Sequence, residues 1–157
     1  MDGQIKKGIH FGLTSAIITT LGLLVGLYSS TKSVLAVIGG IVVIAVADAL
    51  SDALGMHISE EGEAKHTARG IWEATVFTLL SKFVFAITFV VPVLLFELRI
   101  AVQVCVLWGI LLITVVSYLI AKETKQNPSL VIAEHVLISV LVVVISYLVG
   151  LWVSAFV

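Results

Sequence analysis

Long apolar runs alternate with short polar breaks along the whole chain. A helix that crosses a bilayer needs about 20 mostly apolar residues. Five segments meet that requirement, at about 9–28, 34–57, 71–96, 100–121 and 128–157. The runs are continuous rather than alternating, which argues against the strands of a membrane barrel. The pattern predicts an all-α integral membrane protein, a five-transmembrane-helix bundle forming a single domain over residues 1–157. The short breaks at 29–33, 97–99 and 122–127 make each helix run antiparallel to the one before it. Asn127 and Pro128 read as the cap and first residue of the last helix. The remaining break, 58–70, is the one long hydrophilic stretch. Pro92 falls in the last turns of the third helix, where a kink is tolerated if neighbours satisfy the freed carbonyl.

Charge sets the orientation. Lys6, Lys7, Lys65, Arg69, Lys122 and Lys125 fall at one end of the bundle, and Lys32 and Arg99 at the other. The excess of Lys and Arg marks the cytoplasmic side, so the N-terminus is expected in the cytoplasm and the C-terminus outside. Within the first helix, Gly8, Gly12, Ser15, Thr19, Gly22, Gly26 and Ser29 recur at steps of four and three and form one seam. Small residues let helix backbones approach closely in lipid. The seam is expected to pack against the second helix, and part of it to form a homodimer contact through helix one.

Composition narrows the chemistry. The chain is 60% hydrophobic and only 12% charged, which places its bulk in lipid rather than in a soluble core. A net charge of −1 gives no basis for nucleic-acid binding. The single Cys105 lies in an apolar run, so neither a disulfide framework nor a cysteine metal site is expected. The first apolar segment is too long for a signal-peptide core and shows no cleavage pattern, so no cleavable leader is expected.

Against this background the second helix stands out. Asp48 and Asp52 are four residues apart, so they share one face inside an apolar run, roughly 6 Å apart at Cβ. Met56 and Glu60 continue the same column toward the cytoplasmic end, with His57 beside Met56. Even on lenient scales an ionised carboxylate at mid-bilayer costs about 2.5–3.5 kcal/mol. Two on one face repel unless a proton or a cation lies between them. That combination points to an ion or proton path. The candidate metal ligands are Asp48, Asp52, Met56, His57, Glu60 and Glu63, with Glu61 and His66 also in the polar link. Carboxylate with imidazole and thioether suits a borderline metal such as Fe(II) or Mn(II) over a hard ion. Asp48, Asp52, Lys82, Glu73 and Glu134 are the candidates for proton coupling or counter-charge. Lys82 lies too deep in the third helix to serve only as an end anchor.

The run from Phe11 to Leu27, Phe-Gly-Leu-Thr-Ser-Ala-Ile-Ile-Thr-Thr-Leu-Gly-Leu-Leu-Val-Gly-Leu, resembles the opening helix of the vacuolar iron transporter family, which includes the yeast-type vacuolar iron/manganese transporters. So do the second helix with Ala47, Ser51 and Gly55, the Pro92 segment, and Ser146-Tyr147-Leu148-Val149-Gly150 in the last helix. The resemblance implies a homodimer with a pathway between the first two helices of each subunit, and proton-coupled export of Fe2+ or Mn2+ from the cytoplasm. The chain departs from the family in three ways. Thr14-Ser15-Ala16 stands where the family has Asn-Asp-Gly. The family's Glu near the end of helix two aligns with about Met56. Residues 59–70 replace the long Glu-rich cytoplasmic metal-binding insertion of plant members. The overall expectation is a transporter and not an enzyme. It has no permanently bound cofactor, metal ions as its substrate and the lipid bilayer as its surroundings. It would sit in the plasma membrane of a prokaryote or a vacuole-like membrane of a eukaryote. The alternatives are a non-transporting membrane assembly or regulatory protein, and an intramembrane aspartyl enzyme. The enzyme reading requires two carboxylates facing each other across a gap.

Overall fold

The computed structural model of the protein describes residues 3–63 and 67–156. Among these the secondary structure is helical: α1 Gly3–Thr31, α2 Val34–Glu61, α3 Ala68–Thr88, α4 Val90–Leu95, α5 Leu98–Thr124 and α6 Pro128–Phe156. Five segments are long and apolar enough to cross a membrane, α3 and α4 together forming one of them. The protein is an integral, multi-pass membrane protein. Large apolar side chains such as Leu54, Leu107, Leu137 and Leu148 face outward, as a lipid-facing surface requires.

The helices extend past the apolar windows. α1 begins at Gly3 rather than near Ile9, and α2 continues through Glu61 rather than ending at His57. The added turns are polar, and their side chains find partners across the bundle end, as the Lys7–Glu60 ion pair does. That shortens the 58–70 link to a few residues, of which Lys65 and His66 lie outside the described ones. Thr67 caps α3, its hydroxyl accepting the Gly70 N–H at 3.2 Å. Asn127 does the same for α6, its side chain accepting the Ser129 N–H at 3.1 Å.

The third span is not continuous. It breaks at Phe89, whose N–H bonds the Ala86 carbonyl at 3.2 Å. Pro92 supplies no N–H to the Thr88 carbonyl and its ring crowds that position, so the ladder is interrupted three residues upstream of the proline. Trp108 of α5 donates its indole N–H to the Thr88 hydroxyl at 3.2 Å and braces the break.

α1 runs through the middle, packed on α2, α3, α5 and α6. The small-residue seam explains this, but its partners differ from the expectation. Gly8 and Gly12 lie on α3: a Cβ at Gly8 would overlap the Ala74 carbonyl oxygen, and one at Gly12 would overlap Ser81 Oγ and come within 2.6 Å of the Thr78 carbonyl oxygen. Gly22 and Gly26 lie on α6, 3.0 Å and 3.6 Å from Val142 and Ser146 by the same construction. Gly150 of α6 answers them, its α-carbon pressed on Ser29 and Gly26. The glycines of the seam are therefore used inside the protomer, against α3 and α6, while Ser15 of the same seam meets α2 as expected. α2 also meets α1 through Gly40, under Leu23 and Leu27. The core fills the half of the bundle near the α1–α2 turn, with Ile17, Leu21, Leu24, Val37, Ile41, Phe89, Cys105 and Ile113 at its centre.

Candidate functional site

Just beyond that apolar core, on the side toward the N-terminal end, α1, α2 and α3 bring four polar side chains together. Lys82 of α3 is 1% exposed, and no full-length lysine is buried in lipid without partners. Its ammonium holds Asp48 Oδ2 at 2.5 Å and pairs with Asp52 Oδ2. It also donates to Ser15 Oγ of α1 at 2.8 Å, and Ser15 donates to Asp52 Oδ2 at 2.6 Å. The sequence left open whether Lys82 meets Asp48 or Asp52; it meets both. The positive charge between the two carboxylates is thus the protein's own ammonium.

The two aspartates are not equivalent. Asp52 is gripped from α1 and α3 at once. Asp48 has the ion pair but, among the described residues, no aligned hydrogen bond at its buried oxygen. It also borders an open groove of about 420 Å³ with Leu23, Gly40, Val43, Ile44 and Ala47. The geometry follows from helix periodicity: Ala45, Ala49 and Ala53 are the buried positions of α2, and each aspartate sits one residue to the same side of that line. Alanine there lets α2 lie close to α1 and α3, and so brings Lys82 within reach.

Ser15 was not among the residues picked out for this site. Its place in the small-residue seam, a polar side chain inside an apolar span, was the available signal. The neighbouring hydroxyls turn away: Thr14 and Thr19 donate to the His10 and Ser15 carbonyls of their own helix at 2.8 Å each. Thr20 is fully buried, and among the described residues its hydroxyl has no hydrogen-bond partner.

The rest of the column is used otherwise. Met56 is buried on α2 one turn from Asp52. His57 turns to α3. The Thr75 hydroxyl donates to the Ile71 carbonyl at 2.8 Å, so its oxygen accepts from His57 Nδ1 at 2.9 Å. The other ring nitrogen lies 3.5 Å from Glu61, and Trp72 packs on the ring edge. Glu60 is completely buried and paired with Lys7, which reaches Glu63 at 3.2 Å as well. Lys6 pairs with Glu123 at 3.0 Å beside them. Glu73 is held by Arg69 at 2.7 Å, and Glu134 is exposed on α6, away from the Lys82 group. Among the described residues no three His, Cys, Asp or Glu side chains converge as a metal cage. His66 lies outside them.

The arrangement is a buried ion cluster with one carboxylate more than it has ammonium groups. An apolar core closes one side of it, and the Lys7–Glu60–Glu63 group lies at the bundle end on the other. Directly across from the aspartate pair stands a lysine rather than a third carboxylate. No protein-family model matches this chain, and no curated protein matches it.

Proposed function

We propose that this protein is a membrane transporter that exports a divalent transition-metal cation, Fe2+ or Mn2+, in exchange for protons, with Asp48 and Asp52 as the exchange site. The observation that carries the reading is the fully buried Lys82 holding two aspartates inside a membrane bundle. Intramembrane carboxylates are costly and mark ion pathways far more often than they mark scaffolding. Two carboxylates on one helix face supply the anionic oxygens a cation needs when it leaves water. Met56, one turn away, adds a thioether that a hard ion such as Mg2+ would not favour. The Lys and Arg bias supports a cytoplasmic N-terminus, with the Lys7–Glu60–Glu63 group as the cytoplasmic mouth.

A second copy of the chain fits the outer face of α2, where Gly39, Val43, Ala47, Ser51 and Gly55 repeat every fourth residue. A Cβ at Gly39 or Gly55 would meet nothing. A partner on that face would cover the groove at Asp48 and keep lipid from its carboxylate.

The test is Mn2+ flux into proteoliposomes under an imposed proton gradient. Asp48→Asn and Asp52→Asn should each reduce gradient-driven flux to background, and Met56→Leu should chiefly weaken the preference for Mn2+ over Mg2+. Undiminished flux in both aspartate variants, or no flux in the parent protein, would leave the cluster as packing in a non-transporting assembly protein.

A further inference from the structure

We infer that Thr20 is a further ligand of the exchange site: its buried hydroxyl stands level with Asp48 across the α1–α2 contact and supplies a neutral oxygen to the cation bound there. This rests on the exchange reading above and deepens it.

The placement follows from helix register. Leu23 and Leu27 of α1 lie over Gly40 of α2. Thr20, three and seven residues before them, continues their stripe on α1. Asp48, eight residues after Gly40, continues the stripe of α2. The two helices are antiparallel, so two turns from the Leu27–Gly40 contact bring Thr20 level with Ala47 and Asp48. The Ser15–Asp52 hydrogen bond, about one turn further on, fixes the same register. Leu23 and Asp48 also line one groove.

The hydroxyl is what singles Thr20 out. Thr14, Thr19, Thr75 and Thr78 each donate to the carbonyl four residues back on their own helix. Thr20 is 0% exposed, yet among the described residues its hydroxyl makes no such bond and no other. Asp48 Oδ2, level with it on α2, has its ion pair but no aligned hydrogen bond among the same residues. Burying a hydroxyl without a partner is costly, and a bound ion or water is what satisfies such a group. A hydroxyl gives Mn2+ or Fe2+ an oxygen ligand without adding charge to the two carboxylates. Toward the α1–α2 turn the interior is closed by Leu24, Val37 and Ile41. Thr20 is therefore the last polar group of α1 before that apolar core, as Ser15 is its polar group at Asp52.

The experiment measures melting temperature and Mn2+ affinity for the purified full-length protein in detergent, beside Thr20→Val, Thr20→Ser and Asp48→Asn. Valine keeps the shape of the side chain and removes a hydroxyl that has no partner in the metal-free protein. Thr20→Val should therefore melt at or above the parent, yet bind Mn2+ at least about tenfold weaker, a shift of about 1.4 kcal/mol. Thr20→Ser restores the oxygen and should recover most of that affinity, even where the lost methyl lowers its melting temperature. A merely structural role ties affinity to melting temperature, with valine the better replacement in both. That order, or parent-like affinity in Thr20→Val, or a Thr20→Val protein that melts below the parent, overturns the inference. Mn2+ binding by the parent that Asp48→Asn abolishes then keeps the exchange reading standing. Absence of Mn2+ binding in the parent protein overturns both.

Discussion

Lys82→Met should lower the stability of the detergent-solubilised protein by about 3–5 kcal/mol, the cost of removing one partner from a buried ion cluster. The loss comes less from the missing attraction than from what remains. Asp48 and Asp52 would face each other on one helix face, both largely buried, with Ser15 as the nearest other polar side chain. Removing the carboxylates as well should therefore recover much of it. Lys82→Met combined with Asp52→Asn should melt above Lys82→Met alone, and the triple variant with Asp48→Asn higher still. Groups in one ion-pair network are strongly non-additive, whereas independent sites add to within about 0.3–0.5 kcal/mol. Thermal melts that simply add across the cycle would show that the three groups do not act as a unit.

The second large effect is steric. Gly8→Leu and Gly150→Leu should each destabilise the protein by more than the about 1–3 kcal/mol usual for overpacking, because the new side chain meets backbone rather than a yielding side chain. At Gly8 the obstacle is the Ala74 carbonyl, and at Gly150 the Gly26 carbonyl. The first change pushes α1 off α3, the second pushes α6 off α1. Gly39→Leu and Gly55→Leu are the controls, since both positions are open in the protomer and surface changes of this kind fall within about 0.5 kcal/mol. Melting temperatures compare the four. The mass of Gly55→Leu by light scattering, against that of the parent protein, reports separately on the proposed second copy. Equal melting of the Gly8 and Gly39 variants would contradict the α1–α3 contact.

These glycines show what a membrane sequence discloses. Period and hydropathy give the five spans, because the bilayer imposes one length on all of them. A small-residue seam announces close approach without naming the partner, since every neighbouring helix offers a similar apolar surface. α3 wins at Gly8 and Gly12, and α6 at Gly22 and Gly26, by shape. The break at Phe89 lies upstream of the proline that causes it, because a proline disturbs the carbonyl four residues before it.

The ion cluster was more legible than the seam. In the antiparallel α1–α2 pair, the spacing from Leu27 to Ser15 equals that from Gly40 to Asp52, and Ser15 to Lys7 equals Asp52 to Glu60. Those are the pairs in contact. Counting out equally from the Ser33–Val34 junction would have placed Ser15 at Asp52 and Lys7 at Glu60. In the sequence Lys7 reads as an orienting charge, and Glu60 as a metal ligand at the cytoplasmic end of the column. His57 illustrates the limit of such counting. It sits beside the column in sequence, but one helical step of about 100° turns it toward Thr75 of α3.

The Lys82 contact also bears on how the chain enters the membrane. Synthesis runs from the N-terminus, so α1 and α2 reach the bilayer before α3 exists. At that moment α2 carries Asp48 and Asp52 without the Lys82 counter-charge, and only the neutral Ser15 hydroxyl of α1 bonds Asp52. On insertion scales each aspartate near the middle of a helix costs about 2.5–3.5 kcal/mol, set against the strongly apolar run from Val34 to Ala47. Lys82, equally costly alone, arrives one span later and pairs with both carboxylates when it docks. A nascent chain stopped after residue 63 should therefore hold α2 in the membrane poorly, whereas one extended to residue 96 should hold it firmly. Glycosylation tags at the α2–α3 link, read on truncated chains translated with microsomes, would reveal the difference. Equal insertion of both lengths would mean that α2 needs no help from α3. On this view the cluster sets the earliest point at which the first three helices can settle as a unit, long before any ion is moved.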